Sequence, residues 1–172
     1  MELIITLVAD DRPGIVEQVA LVVARHGGNW QESRLATLAD KFAGIVRVSV
    51  AEADHADLEA GLLALREESV VVQVAHGASG AALLTRRQTL SVVGNDRPGI
   101  VREVSQALAA AEVNVVELAT TVESASMSGG VLFRAHLEVG LSAHQSVVDV
   151  VAALEGLSPD LMIDLVEPDP HS

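Results

Sequence analysis

The chain has 172 residues, with 11 Lys and Arg against 24 Asp and Glu, a formal net charge of −13 and no cysteine. That balance argues against direct binding to nucleic acid, which needs Lys and Arg to replace the counterions on phosphates. The missing cysteine excludes disulfides, thiolate catalysis and Cys-based zinc sites, and it agrees with a reducing cytoplasm.

Met1-Glu2 leads directly into the apolar run Leu3 to Val8, with no basic n-region and no small-residue cleavage site, so no signal peptide is expected. The longest apolar runs are of strand length, which predicts no membrane-spanning helix and a cytoplasmic location. Leu3 to Val8 reads as a strand at a sheet centre. Asp10 and Asp11 end it. From Ile15, the apolar positions Ile15, Val16, Val19, Ala20 and Val23 follow helical spacing, and Gly27-Gly28 closes the helix. Trp30 to Leu38, a turn at Ala39-Asp40-Lys41, and the alternating run Phe42 to Val50 predict a hairpin with one wet face. Leu58, Leu62 and Leu65 mark a second amphipathic helix behind a polar lead-in. Ser69 to Ala75 is again apolar and β-branched, a last strand.

Gly77 to Gly80 and Arg86-Arg87 read as a connector, after which the order repeats. Asp11-Arg12-Pro13-Gly14-Ile15-Val16 returns 85 residues later as Asp96-Arg97-Pro98-Gly99-Ile100-Val101, and the same shift carries Asn29 to Asn114 and Glu32 to Glu117. The second copy is expected to have a strand over Thr89 to Val93 and a helix from Pro98 to about Ala111. Strands follow near Val113 to Val122 and Val131 to Val139, then a helix from His144 to Leu154 and a strand over Leu161 to Val166. Matching Arg47 to Arg134 makes its hairpin about two residues longer, with Ser126 to Gly130 at the tip. The expected organisation is a first domain over 1–78, a linker at 79–86, a second domain over 87–168 and a frayed tail at 169–172. Strand-helix-strand-strand-helix-strand is the ferredoxin-like α+β unit, a four-stranded antiparallel sheet with both helices on one face. Modules this small bury only about 60 to 65% of their unfolded surface, which favours association of the copies or of chains.

The strand-to-helix turn is the candidate site. Pro13 and Pro98 preset φ for the start of a helix. Gly14 and Gly99 leave room for an anion to approach the first-turn amides beside Ile15 and Ile100, at the positive helix end. Asp11 and Asp96 add an acceptor for a cation, so the turn offers both halves of what a zwitterion requires. Asn29 and Asn114, at the start of a strand expected to pair beside the first, offer a donor and an acceptor. Each residue also has a purely structural reading: Asp before Pro caps helices, Gly makes turns, and Asn after Gly fills loops. The six histidines fall in different elements without metal-ligand spacing, so solvated positions are expected for them. The Gly-Ser run around Met127 lacks the Lys and Thr of a phosphate loop. Trp30 is expected to pack in its own module and, lying beside Asn29, to report on ligand.

These motifs resemble the ACT domain family, and the resemblance covers nearly the whole chain. Both copies have a strand, Asp-Arg-Pro-Gly, an amphipathic helix and an Asn opening the next strand. The run Asn29-Trp30-Gln31-Glu32-Ser33-Arg34-Leu35-Ala36 is similar to that of tandem ACT proteins of the glycine cleavage system transcriptional repressor type. Copy two departs from it, with Leu118-Ala119-Thr120 in place of Ser33-Arg34-Leu35. What the resemblance implies is a non-enzymatic regulator that binds a small amino acid at ACT interfaces and acts through a regulatory protein or enzyme partner. It would carry no DNA-binding part, act as a homo-oligomer and have an accessory role in transcriptional control of glycine-type metabolism. By the same resemblance, ligand contacts fall on Asp11, Gly14, Asn29, Asp96, Gly99 and Asn114. No nucleophile with a base, metal cluster or cofactor fingerprint stands out, so neither catalysis nor a cofactor is expected. The competing expectation is a ligand-independent assembly module attached to a metabolic enzyme or transcription factor.

Overall fold

The computed structural model describes residues 1–77, 86–124 and 130–166. The chain divides into two compact units, Met1–Gly80 and Ala81–Ser172. In the first, β1 (Glu2–Asp10) is followed by α1 (Ile15–Arg25), β2 (Asn29–Leu38), β3 (Lys41–Ser49), α2 (His55–Ala64) and β4 (Val70–His76), with a 3₁₀ turn over Leu65–Glu68 before β4. The second runs β5 (Arg86–Asn95), α3 (Ile100–Ala110), β6 (Asn114–Ser124), β7 (Val131–Leu141), α4 (Val147–Glu155) and β8 (Met162–Val166). Each forms a four-stranded antiparallel sheet, in the orders β2-β3-β1-β4 and β6-β7-β5-β8. This is the split βαβ arrangement the element order predicts.

The apolar run of β1 is central in its sheet, and its period of two decides which face is dry. Leu3, Ile5, Leu7 and Ala9 are buried with Val46 and Val48 of β3, Val70 and Val72 of β4, and Ile15, Val19, Val23, Leu58 and Leu62 from the two helices. Both helices therefore cover one face. The opposite face is left open, with Val8, Ile45 and Val71 each about half exposed. Trp30 packs against this core. Unit 2 builds the same layers from Leu90, Val92, Leu137 and Val139 under Val104, Leu108, Val150 and Leu154.

Four sequence expectations give way to the tertiary structure. Arg86 and Arg87 are not connector: they extend β5, opposite Leu141 and Gly140, and Arg87 donates to Glu138 at 2.8 Å. The fourth helix starts at Val147 rather than His144, because Gln145 is used in a preceding turn. Its amide oxygen accepts from the Ser142 N–H at 2.7 Å, and its Nε2 donates to the Ala111 carbonyl at 2.6 Å. The hairpin of copy two is six residues longer, not two. Ala9 faces Phe42, whereas its repeat position Gly94 faces Phe133, so the returning arm is displaced by 91 residues instead of 85, and Arg47 corresponds to Glu138 rather than Arg134. Finally, β2 lies beside β3 and not beside β1, which moves Asn29 as described below. The expected tip of that hairpin at Ser126 to Gly129, most of the expected linker and the tail lie outside the described residues.

Candidate functional site

In both units the segment after the first strand is held by main-chain bonds to the neighbouring hairpin: Asp11 N–H donates to the Asp40 carbonyl and Asp96 N–H to the Val131 carbonyl, both at 2.9 Å. Pro13 and Gly14 then form a tight turn, with Gly14 at φ 93° and ψ −4° and Gly99 at φ 91° and ψ −2°. These are the angles of the third residue of a type II turn, with Pro in its favoured second place. The Ile100 N–H to Arg97 carbonyl bond at 3.4 Å closes that turn in unit 2. Pro13 and Pro98 thus belong to the turn and not to the first helical residue. A Cβ on either glycine would meet nothing within 4 Å, so the positive φ, not crowding, requires glycine there.

Neither aspartate caps its helix. Gly14 and Gly99 occupy the capping positions and no side chain caps either helix start. Among the described residues, Asp11 and Asp96 have no side-chain hydrogen bond or ion pair, which removes their structural reading as caps and leaves exposed carboxylates beside uncapped amides. In unit 1 these groups line a cavity of about 280 Å³ whose wall is Asp11, Arg12, Gly14, Ile15, Val16, Glu17 and Phe42. The Arg12 guanidinium is held at its edge by Gln18 Oε1 at 2.9 Å and the Glu68 carbonyl at 3.0 Å. A carboxylate-guanidinium pair of sites set over an uncapped helix start can hold an ammonium and a carboxylate together.

The structure does not bring Asn29 to this cavity. Asn29 faces Ser49, which faces Glu2, so it sits level with the beginning of β1, while Asp10 and Asp11 follow its end. Eight strand residues separate them, roughly 27 Å at about 3.4 Å per residue. Asn114, facing Gly140 and hence Arg87, is removed in the same way from Asp96. Local spacing indicated the start of a strand but not that β3 would insert between β2 and β1. Trp30 lies at that far end too, so its fluorescence is a poor monitor of the turn. Arg12, Val16, Glu17 and Phe42 were missed by the sequence reading. The repeat already contained the signal for Arg12, since Arg97 recurs with it. Phe42 comes from strand pairing.

Asp10 pairs with Lys41, whose hydrogen bond holds the carboxyl below its ordinary range and raises the ammonium. On the open face of unit 1, Glu32 bridges Arg47 at 3.2 Å and Arg34 at 3.8 Å beside a second cavity of about 210 Å³ floored by Ile4 and Ile45. Among the described residues, no group of three or more His, Cys, Asp or Glu is arranged to hold a metal ion, and no helix is long and apolar enough to cross a membrane.

Residues 2–74 match the family model of the ACT domain. The first unit is an ACT domain. The second repeats its topology outside the matched residues, so the chain has a tandem ACT-like architecture. The chain is similar over its length to an unknown protein from Galdieria sulphuraria, at 29% identity and a TM-score of 0.77, covering 95% of this chain and 96% of that one. A candidate glycine cleavage system transcriptional repressor superposes with a TM-score of 0.73 at 19% identity, covering 96% and 95%; that likeness is one of fold. A curated relative, UPF0237 protein MK1213 of Methanopyrus kandleri, is 37% identical over 51 residues, which is 30% of this chain and 57% of that protein's length.

Proposed function

We propose that this tandem ACT protein is an amino-acid-responsive regulator without catalytic activity, and that the strand-to-helix turn carrying Asp11, Pro13, Gly14 and Ile15 is where a free amino acid binds. The observation that carries this reading is the unit 1 cavity, where a carboxylate with no side-chain partner among the described residues, a guanidinium and uncapped helix amides meet. The ligand ammonium goes to Asp11, and its carboxylate goes to Arg12 and the first-turn amides. Asp96, Pro98, Gly99 and Ile100 form the corresponding turn of unit 2. Asn29 and Asn114 contribute no contact to the turn of their own unit.

The output of such a sensor is a changed affinity for a protein partner in the cytoplasm, since a ligand shifts a protein between states only through unequal affinity for them. With a net charge of −13, a role in transcription runs through that partner and not through DNA. The open sheet face with Val8, Ile45 and Val71 supplies apolar surface for an enzyme, a regulatory protein or a second copy. The likeness in fold to a candidate glycine cleavage repressor favours small amino acids of the glycine type as the first ligands to try.

The test is a melting-temperature screen of the twenty amino acids. A binding amino acid at a hundredfold excess over its dissociation constant stabilises the protein by about 2.7 kcal/mol, and Asp11→Ala removes that shift while leaving the unliganded melting temperature within about 0.5 kcal/mol of equivalent stability. If none of the twenty moves the curve, the chain is instead a ligand-independent assembly module.

A further inference from the structure

The two turns share a motif but not their electrostatics, and the difference lies at the third and fourth residues of each helix. Gln18 in α1 is replaced at the repeat position by Glu103 in α3, and Glu17 by Arg102. In unit 2, Arg97 donates Nη1 to Glu103 Oε1 at 2.8 Å and Nη2 to Glu103 Oε2 at 2.5 Å, a bidentate ion pair that uses the guanidinium fork. In unit 1, Arg12 bonds only to neutral acceptors, both through Nη2: the Gln18 amide oxygen and the Glu68 carbonyl. Among the described residues it has no ion pair. Its positive charge and its remaining donors stay available to an anion, and the side chain is exposed where that of Arg97 is half-buried.

The other half of a zwitterion meets the same asymmetry. Glu17 lines the unit 1 cavity with Asp11 and adds a second acceptor for an ammonium. Its counterpart Arg102 is a cation lying close enough to favour the Glu103 carboxylate, and it would repel an ammonium beside Asp96. The aromatic wall also differs. Phe42 is half-buried and borders the turn cavity, whereas Phe133, at its register position, is buried in the core. There it lines an apolar cavity with Val101, Val104 and Leu118.

We propose that only the first turn is a ligand site, and that Gln18 and Glu103 decide this: glutamine leaves Arg12 charged toward the cavity, whereas glutamate latches Arg97 and closes the second turn. This rests on the reading of the turns as amino-acid sites. Unit 2 is then an ACT-like module kept for the fold and its surfaces, with a turn already occupied by its own ion pair.

Isothermal titration of the full chain with each of the twenty amino acids tests it, with melting curves recorded for every variant to confirm that it folds. The expected result is one site per chain. Gln18→Glu, which gives Arg12 the partner that Arg97 has, weakens binding by at least about tenfold, the scale of one charge-assisted hydrogen bond. Arg102→Glu combined with Glu103→Gln raises the stoichiometry toward two. Two equivalent sites in the unaltered chain would overturn the proposal while leaving amino-acid binding at the turns intact. So would one site that survives Gln18→Glu and is lost in Asp96→Ala. Failure of the double variant to gain a site would overturn the assignment of Arg102 and Glu103 as the block. Binding of none of the twenty would instead remove the underlying reading.

Discussion

Asp11 and Gly14 lie three residues apart and do different work. Asp11 is exposed, does not cap its helix and, among the described residues, has no side-chain partner, so its carboxylate makes no contact there that holds the fold. Gly14 has a requirement in the fold itself: its φ of 93° lies in the left-handed region and its Cβ direction is empty. Gly14→Ala should therefore cost about 1 to 2 kcal/mol from backbone conformation, read as a lower urea midpoint with an unchanged slope. An unchanged midpoint would mean that the turn relaxes to an ordinary φ. The contrast also explains what the sequence could tell. Asp, Pro and Gly in a row declare a turn wherever they stand, but whether the aspartate caps or waits is decided by geometry around it.

At the scale of elements, period and punctuation placed the α-helices and strands to within a few residues, because most of them bury one face against the core of their own unit and so keep their apolar spacing; β6, exposed along its whole length, is the exception. What local spacing does not encode is pairing. The neighbour of β2, the six-residue lengthening of the second hairpin and the strand character of Arg86-Arg87 all follow from register. Arg47 and Arg134 look equivalent by eye, yet the ladders match Arg47 with Glu138. The candidate site was legible in part for the same reason: Asp11, Gly14 and Ile15 fall within five consecutive residues, while Phe42 reaches the cavity through its pairing with Ala9. The Arg97–Glu103 pair bracketing the start of α3 leads to a pH prediction. Its hydrogen bond from Arg97 holds the Glu103 carboxyl below its ordinary value of 4.5. A lowered folded pKa gives stability that is present above 4.5 and is lost as pH falls through 4.5 toward the folded value. Amide exchange in α3 should accelerate on acidification through that window more in the unaltered chain than in Glu103→Gln. Equal acceleration in both would remove the pair from the account.

For the whole molecule, two small aliphatic cores stand in place of one large one, and neither contains a buried polar residue among those described. Stability in a unit of this size is set by a few fully buried side chains. Leu62, 0% exposed on α2, should cost about 2 to 5 kcal/mol when truncated to Ala, a large share of the total available to such a domain. Hydrogen exchange across β1, β3 and β4 reads this loss, and a cost below about 1 kcal/mol would contradict the packing described. A scaffold held from inside in this way leaves its turns and its open face available to the proposed ligand and partner, and the net charge of −13 disfavours direct contact with nucleic acid. The most direct measurement is a nitrogen-15 amide titration of the full chain with the amino acid that raises its melting temperature. The account predicts saturable shifts confined to residues 11–17 and Phe42, with residues 96–102 unmoved. Shifts centred on Asn29 and Trp30 with the turn silent, or no shifts at all, would contradict it.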